Sequence, residues 1–249
     1  MEAREGDQEL VPEHSESEIP DPPWLPARPP RTREPLSREA IVDAALRVLD
    51  REGASGLSMR RIAEELGSGA GAIYWHVANK EQLVQLVFDR VIAELPLPEV
   101  DPEHWEEQLK QAARDVRAVM QSHPGIAQLS FGRIPLGPSA IRYLEWHLSV
   151  LRAGGLSDRA AALAGDLIHL YVDAFAYEEC VGMSPPSGED ADVHDFIGEM
   201  RTYFASLPPD RFPNISGLAD ELTAGGRDER FEFGLDVLIR GLVAHSHSS

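Results

Sequence analysis

The stretch LGSGAGAIYWHVANKEQL, residues 66–83, fits two different classes of protein. Gly67, Gly69 and Gly71 could form a loop around a phosphorylated cofactor, or the turn and short helix of a motif that reads DNA. A dinucleotide-binding loop needs the spacing G-x-G-x-x-G directly after a buried strand. Here the spacing is G-x-G-x-G, and the residues before it, SMRRIAEEL (58–66), have a helical pattern. Spacing and context therefore both argue against the cofactor loop.

The second interpretation is a helix-turn-helix, in which two short helices are joined by a tight turn. Ser58 is expected to cap the first helix and Gly67 to end it, while Ser68 is expected to cap a very short second helix that ends near His76. The second helix of such a motif enters the major groove with its N-terminal residues toward the base edges. The run GAGA at residues 69–72 is slim enough for that approach.

The rest of the chain has helical periodicity and no clear alternating strand pattern, so the predicted fold is all-α. Prolines, glycines and capping residues mark the ends of the helices. The predicted helices run from Ser37 to about Gly53, from Asn79 toward Pro96, from Asp101–Pro102 to Pro124, around Ile141–Leu151, from Ser157 to about Cys180, from Phe196 to Phe204, and over residues 230–245.

The 249 residues carry a net charge of −19, which is unevenly distributed. Residues 22–80 have a net charge of +2, whereas residues 1–21 and 81–249 are strongly acidic. An acidic body repels a polyanion, but a locally positive module can still dock on one. The single cysteine, Cys180, indicates a reducing compartment, and neither a signal peptide nor a membrane span is evident. We expect a cytoplasmic protein without a membrane partner.

Residues 1–35 are acidic and then proline-rich, which predicts a disordered segment. Three cations, Arg28, Arg31 and Arg33, lie on its proline-stiffened part. One hypothesis is that this arm reaches into a minor groove of DNA, as basic arms of other DNA-binding proteins do. The alternative is an ordinary tail with scattered arginines.

Three segments carry a resemblance to a known family. LSREAIVDAALRVLDREGASGLSMRRIAEELGSGAGAIYWHVANKEQL (36–83) resembles the DNA-binding domain of the tetracycline-repressor (TetR) family, and its IYWHVANKEQL part is similar to the repressor for which the family is named. EHWEEQLKQAARDVRAVMQSHPG (103–125) and FEFGLDVLIRGL (231–242) resemble the ligand-binding domain. The resemblance implies a three-helix DNA-binding domain at 36–82 and a helical ligand-binding and dimerisation domain at 83–249, with a loop at 181–192.

The resemblance also implies roles in DNA binding. Arg60 occupies a base-contacting position, Ala70 and Gly71 open the recognition helix, and phosphates are contacted at the positions of Tyr74, His76 and Lys80. Where this chain has Ala70 and Gly71, the namesake repressor has glutamine and proline, so a bidentate hydrogen bond to adenine is not available here. We therefore expect base recognition to depend on Arg60 and on DNA shape. Trp75 is expected in the core. The predicted DNA-contacting set is Arg60, Ser68, Gly69, Ala70, Gly71, Tyr74, His76 and Lys80, with Arg28, Arg31 and Arg33 of the arm.

The ligand is expected to differ from the namesake's. The resemblance places that repressor's metal-binding histidine on Ser130 and its drug-contacting asparagine on Ala112, so we expect neither magnesium–tetracycline nor another metal or cofactor here. His147 and His169 are the best polar candidates for a small-molecule pocket, although core packing is an alternative for every candidate. The full candidate set is Trp105, Val116, Leu129, Ser130, Tyr143, His147, His169, Asp173 and Tyr177.

Two segments are more apolar than one globular face requires. ALAGDLIHLYVDAFAY (162–177) and FEFGLDVLIRGL (231–242) indicate the helices of a homodimer bundle. The alternative is two fully buried helices in a monomer.

The sequence therefore predicts a repressor that binds a palindromic double-stranded DNA operator as a homodimer and is released by a small-molecule inducer of unknown identity. A constitutive regulator without an inducer, or an activator, are alternatives. An enzyme is not expected, because a nucleophile elbow, an H-E-x-x-H motif, a Walker loop and paired metal-binding cysteines are all missing from the sequence.

Overall fold

A computed structural model describes residues 36–130, 134, 136–182 and 193–246, and these residues form helices and no strand. The predicted all-α fold is therefore confirmed. The predicted arm with Arg28, Arg31 and Arg33, and residues 183–192 of the predicted loop, lie outside the described residues. The helices are α1 Arg38–Gly56, α2 Met59–Glu65, α3 Ala70–Tyr74, α4 Lys80–Ile92, α5 Trp105–Ser122, α6 Pro124–Ser130, α7 Pro138–Ala153, α8 Asp158–Val181, α9 Val193–Ser206, α10 Pro213–Gly217, α11 Ala219–Thr223 and α12 Arg227–Ser246.

Side-chain caps begin four of these helices, as the sequence predicts. Ser37, Ser58, Asn79 and Ser157 each accept a hydrogen bond from the backbone N–H three residues further on. Each of these bonds satisfies one of the free N–H groups of a first helical turn. Gly53, where the first helix was expected to end, has a φ of +70° and kinks α1, which continues to Gly56.

Two predicted caps are wrong. Gly69, and not Ser68, is the residue before α3, and the Ser68 Oγ is buried without a described hydrogen-bond partner. The helix α5 begins at Trp105 rather than at Asp101–Pro102. The Asp101 carboxylate lies 2.8 Å from the His104 ring nitrogen, so that residues 101–104 form a turn ahead of the helix.

The helix α6 was not predicted, and it links the first helix of the fold, α1, to helix α8. Pro124 ends α5 as expected, but it is also the first residue of α6, a position that proline favours. Helix α6 packs against both α1 and α8. A Cβ at Gly125 would lie 2.5 Å from a methyl carbon of Leu49, so α6 approaches α1 closely only because this residue is glycine.

One apolar core runs through most of the helices. Helices α1, α2, α3 and α4 pack together around the helix-turn-helix, and α5 packs against α7, α8 and α12. The predicted helix at 196–204 lies within α9, which packs with two short unpredicted helices, α10 and α11. Fully buried side chains of the core include Ile41, Leu49, Ile62, Ile73, Leu83, Leu109, Ile126, Leu151, Phe231 and Leu235.

Candidate nucleic-acid interface and ligand site

Arg60 is the most exposed cation of the helix-turn-helix for which an ion pair is described. Its side chain is 87% exposed, and its Nε donates a 2.9 Å hydrogen bond to the Glu64 carboxylate one turn further along α2. A pair this exposed contributes little to stability. The guanidinium of Arg60 therefore stays accessible to a base edge, and its contact with Glu64 is weak.

Neighbouring arginines have a structural role instead. Arg61 donates 2.8 Å to Glu52, and Arg51 donates 2.8 Å to Glu65, which fastens α1 to α2. The hydrogen bonds from Arg61 and then Arg51 lower the pKa of the Glu52 carboxyl. These contacts explain why Arg61, next to Arg60 in sequence, is turned away from the exposed face.

The N-terminal end of α3 is slim and solvent-exposed. Gly69, Ala70 and Gly71 are all exposed, and a Cβ added at either glycine would meet no atom within 4 Å. The hydroxyl of Ser68 does not share this surface because its oxygen is buried. The predicted recognition tip thus presents Ala70 and backbone, without a side-chain hydrogen-bonding group.

The aromatic pair that follows departs from the prediction at Trp75. Tyr74 is 53% exposed as expected, but Trp75, expected in the core, is 90% exposed. Ile73 and Val77 are fully buried and lie one helical turn apart, so the residue midway between them faces away from the core. That spacing is visible in the sequence and identifies Trp75 as an additional surface residue beside the recognition helix.

The other two residues predicted to contact phosphate, His76 and Lys80, follow α3 in the chain. His76 is half-buried, and its carbonyl accepts a 3.4 Å hydrogen bond from Arg38 Nε, which ties the end of the motif to α1. Lys80 is exposed at the first position of α4. The Asn79 cap and the Gln82 side chain, which accepts from the Ala78 N–H at 2.6 Å, fix the start of that helix.

Helix α4 connects this motif to the rest of the molecule. The Asp89 Oδ1 accepts hydrogen bonds from the backbone N–H groups of Ser139 at 2.8 Å and Ala140 at 3.0 Å, at the start of α7. A Cβ at Gly137 would overlap the Asp89 carboxylate. The first turn of α7 is therefore capped by a side chain from α4, and glycine is required beside it.

A histidine makes a second connection. His123, between α5 and α6, places Nδ1 2.9 Å from the Asp50 carboxylate of α1 and Nε2 3.6 Å from Glu94, just after α4. It therefore joins α1 to the segment that directly follows α4. This contact has no local sequence signal, because Asp50, Glu94 and His123 are far apart in the chain.

Three predicted ligand residues do come together, between α7 and α8. The His147 ring lies 5.3 Å from the His169 ring and 5.9 Å from the Tyr143 ring, measured between centroids, and Trp146 lies 6.0 Å from Tyr143. We call Tyr143, Trp146, His147 and His169 the histidine–aromatic cluster. His169 Nδ1 lies 2.9 Å from the Gly165 carbonyl oxygen.

Burial sets the electrostatics of the histidine–aromatic cluster. Burial, and then the neighbouring His169, lower the pKa of His147 to about 3, so its ring is neutral. Burial also raises the pKa of the Tyr143 hydroxyl and of the Asp173 carboxyl, and the neighbouring His169 opposes the latter shift. His147 is 1% exposed, and neither ring nitrogen has a hydrogen-bond partner among the described residues.

A cavity of about 320 Å³ lies against Trp146. Ala112, which the resemblance matched to a drug-contacting residue, is part of its wall. Sequence reasoning missed Trp146, whose indole N–H donates 2.7 Å to the Pro98 carbonyl in the connection between α4 and α5. The residues that line the cavity are Pro96, Pro98, His104, Glu107, Gln108, Gln111, Ala112, Asp115 and Trp146.

The other predicted ligand residues are not grouped in the cluster. Trp105 is buried against Gly154, just after α7, as a packing residue, and Tyr177 is 38% exposed. Val116 is buried in the core and Leu129 packs against the core. Ser130 ends α6, and its side chain lies outside the described residues.

The two helices predicted to form a dimer bundle do expose apolar side chains. Leu163, Leu167 and Leu170 of α8 are 46–58% exposed, and Phe233 and Val237 of α12 are 73% and 53% exposed. The opposite sides of the same helices are buried in the core. This two-sided apolar character disagrees with the alternative of two fully buried helices.

Metal and membrane sites are not found in the described part of the chain. Residues 36–130, 134, 136–182 and 193–246 contain no group of three or more histidine, cysteine, aspartate or glutamate residues that could hold a metal ion. Among the described helices, none is both long enough and apolar enough to cross a membrane.

Comparison with known proteins agrees with this architecture. Residues 41–87 match the family model for bacterial regulatory proteins of the tetR family, and residues 97–245 match the tetracyclin repressor-like C-terminal domain. An HTH-type transcriptional regulator of Saccharopolyspora erythraea is 30% identical, with 89% of this chain and 91% of that protein aligned. The HTH-type transcriptional repressor DrrR1 of Streptomyces coeruleorubidus is 31% identical, with 86% and 80% aligned.

A solved structure provides the corresponding fold. Apo ActR from Streptomyces coelicolor is 39% identical and superimposes with a TM-score of 0.79 over 86% of this chain and 98% of ActR. ActR has also been solved in complex with actinorhodin, with 40% identity, a TM-score of 0.78 and coverage of 84% and 96%. With both domain models matched and relatives aligned over most of their length, this chain belongs to the TetR family of transcriptional regulators.

Proposed function

We propose that this chain is a ligand-responsive transcriptional repressor. A homodimer binds a palindromic operator in double-stranded DNA, and a small molecule releases it. Residues 36–82 act as the DNA-binding domain, and residues 83–249 act as the ligand-binding and dimerisation domain.

The exposed residues of the helix-turn-helix support the DNA-binding part. Arg60 offers five N–H donors in a fixed fork that matches a guanine edge. Tyr74, His76 and Lys80 lie beyond the recognition tip, where they contact phosphates. A dimer places two such tips in successive major grooves about one helical turn apart, roughly 34–36 Å.

The dimer itself is supported by the exposed apolar faces of α8 and α12. A single helix-turn-helix holds one half-site, whereas pairing through these faces presents two. Large exposed apolar patches on soluble domains mark interaction surfaces. The acidic remainder of the chain cannot attract DNA, so binding depends on the few cations near the tips.

The ligand-binding part is supported by the histidine–aromatic cluster, the adjoining cavity and a relative. ActR, solved with actinorhodin, shares the fold over most of both chains. A relative named as a repressor, DrrR1, favours repression over activation. In this chain the cavity wall contains Trp146, which is hydrogen-bonded to the connection that follows α4.

The observation that carries the proposal is that α4 contacts both the DNA-binding domain and the ligand-binding domain. It packs against α1, which itself packs against α2 of the helix-turn-helix, and its Asp89 caps α7, the helix of Trp146 and His147. A ligand that moves α7 or the α4–α5 connection therefore moves α4. A ligand can shift the equilibrium only by its difference in affinity for the DNA-binding and released states.

The test has two steps. Wild-type protein is used to select duplexes from a pool with a randomised central region, and an enriched palindrome is expected. Candidate small molecules are then screened for release of that duplex, measured by fluorescence anisotropy. Failure to enrich any duplex overturns the DNA-binding proposal. Enrichment without release by any compound, in a protein whose cavity is shown to be closed, would instead indicate a constitutive regulator, and transcription assays would distinguish an activator.

A further inference from the structure

Five charged or titratable side chains link α1 to the end of α4. Asp43 and Asp50 lie seven residues apart on α1, which places them on the same face of that helix. Arg90 lies 3.8 Å from the Asp43 carboxylate and 3.2 Å from one oxygen of Glu94. His123 lies 2.9 Å from the Asp50 carboxylate and 3.6 Å from the other oxygen of Glu94. We call these five residues the α1–α4 charge cluster.

The α1–α4 charge cluster contains an excess of acid. Asp43, Asp50 and Glu94 supply three carboxylates, whereas Arg90 supplies one permanent positive charge. Carboxyl and guanidinium groups ordinarily titrate far from neutral pH, whereas histidine ordinarily titrates near pH 6.5. His123 is therefore the member whose charge changes under mildly acidic conditions, and its proton compensates part of the excess of negative charge.

The number of carboxylates that His123 can serve depends on its protonation. A neutral imidazole has one N–H group and can donate to either Asp50 or Glu94, but a protonated ring has two N–H groups and a positive charge. The His123 side chain is 14% exposed, and both carboxylates are partly exposed. The ring can therefore exchange its proton with water, while partial burial limits the screening of its charge.

The backbone holds the His123 ring in position between its two partners. Its N–H donates to the Val119 carbonyl at 3.2 Å, and its carbonyl accepts from the Ile126 N–H at 2.8 Å. Two residues further on, a Cβ at Gly125 would lie 2.5 Å from a methyl carbon of Leu49, the residue before Asp50. The junction of α5 and α6 is thus packed directly against the part of α1 that carries the Asp50 carboxylate.

Other charged and titratable groups on the surrounding helices have partners of their own. The Cys180 thiol of α8 donates a 2.6 Å hydrogen bond to the carbonyl at the start of α6, and burial raises the pKa of this thiol. It therefore stays neutral where a histidine titrates. The remaining groups are Arg47 and Arg51 with Glu65, Arg61 with Glu52, Asp89 with the first turn of α7, Arg117 with Glu179, and Arg230 with Glu178.

We propose that His123 is a proton-dependent link between α1 and the end of α4, and that protonation of its ring increases affinity for the operator. The protonated ring binds Asp50 and Glu94 together and so fixes α1, which packs against α2 of the helix-turn-helix. A DNA-binding domain that is already fixed loses less conformational freedom when it binds DNA. The inference rests on the proposed function and adds a proton to its regulation.

The test measures operator affinity at two pH values, with the full-length protein, the selected duplex and one salt concentration. Fluorescence anisotropy at about pH 7.5 and about pH 5.5 compares the wild type with His123→Gln, which keeps a polar side chain that cannot become charged. Groups such as His76 titrate in both proteins, so the comparison isolates His123. From pH 7.5 to pH 5.5 the association constant of the wild type should rise about tenfold more than that of the variant, or about threefold per protomer of the dimer.

Two further variants separate titration from a merely structural role. His194→Gln makes the same change at an exposed position of α9 and should keep the pH dependence of the wild type. Glu94→Gln removes one of the two carboxylates and should reduce that dependence. A structural role for His123 would change the affinity by the same factor at both pH values, and this result would overturn the inference, as would a wild-type affinity that falls relative to the variant on acidification.

A measurement without DNA separates this inference from the proposed function. Because the protonated ring has these partners only in the folded chain, its contribution to stability is present below the ordinary histidine pKa of about 6.5 and is lost as the pH rises. The urea midpoint of the wild type should therefore increase relative to that of His123→Gln between pH 7.5 and pH 5.5. Equal changes in the two midpoints would overturn the link itself. A protein that selects no operator but shows the expected midpoints contradicts the proposed repressor and leaves the proton-dependent link standing.

Discussion

The carboxylate of Asp89 in α4 accepts a 2.8 Å hydrogen bond from the backbone N–H of Ser139 in the first turn of α7. A second bond, from the next N–H, completes a cap supplied by a different helix. Capping residues are usually part of the helix they cap. Here the cap also fixes the helix that leaves the DNA-binding motif to the helix that carries the histidine–aromatic cluster.

Replacing this carboxylate should destabilise the protein. We expect Asp89→Ala to lower the free energy of unfolding by about 0.5–2 kcal/mol, because two N–H groups at the start of α7 lose their acceptor. Asp89→Asn keeps one acceptor oxygen and should recover most of the loss. Urea denaturation of the three proteins measures the effect. An unfolding midpoint for Asp89→Ala equal to that of the wild type would show that the cap contributes nothing.

The second prediction concerns Arg60 and its partner Glu64. Arg60→Ala should weaken binding to the selected operator by about 1–3 kcal/mol and relax the sequence preference at one base pair in each half-site. Glu64→Ala frees the guanidinium and removes a negative charge, so affinity should rise. Both variants should unfold within about 0.5 kcal/mol of the wild type, because the pair is exposed. Unaltered preference in Arg60→Ala would place base readout elsewhere.

Lys80 is expected to contact a phosphate without reading sequence. Lys80→Ala should weaken binding to all duplexes about equally, and the slope of log K against log salt should become shallower by about 0.9. Titrations by fluorescence anisotropy at several salt concentrations measure the slope. Arg47→Ala, an exposed arginine of α1 paired with Glu65, is the matched control and should leave the slope unchanged.

The sequence predicts the helices well where a local signal defines them. The caps at Ser37, Ser58, Asn79 and Ser157 need only nearby atoms, and each is observed. The cap predicted at Ser68 is not formed, and the hydroxyl oxygen of this residue is buried instead. The predicted cap at Asp101 is replaced by a turn in which its carboxylate contacts the His104 ring. Helix ends that depend on such alternatives cannot be read from composition.

The parts of the candidate sites that depend on nearby residues could be predicted from the sequence, and the parts that depend on distant residues could not. Tyr143 and His147 lie one helical turn apart, so their proximity is local, and His169 joins them from α8. The contacts of Asp89 with Ser139 and of His123 with Asp50 join residues separated by 50 and 73 positions. No periodicity records contacts over such distances, so these two contacts are visible only in the structure.

A fourth prediction tests the dimer. Phe233→Glu introduces a charge on the exposed apolar face of α12 and should shift the protein toward monomer, with weaker operator binding as a consequence. Ile141→Glu, at an apolar residue of α7 that is 49% exposed, is the control and should remain dimeric. Sedimentation velocity measures both. A dimeric Phe233→Glu protein with unchanged dissociation constant would place the dimer interface on another face.

The last prediction uses the lowered pKa of His147. In the unfolded chain a histidine has a pKa near 6.5, whereas burial lowers the pKa of His147 to about 3 in the folded protein. Above pH 6.5 neither state binds the proton. As the pH falls below this value, the unfolded state binds it first, so His147 makes the folded protein progressively less stable until the pH reaches its folded pKa.

His147→Phe removes this effect, while the other titrating groups are the same in both proteins. Between about pH 7.5 and pH 5.5, the wild type should lose on the order of 1 kcal/mol more unfolding free energy than the variant. Urea denaturation at both pH values measures this difference of differences, with His194→Phe, the same change at an exposed position, as the control. Equal losses in wild type and His147→Phe would contradict the prediction, because they would mean that the ring is protonated in the folded state or exposed in solution.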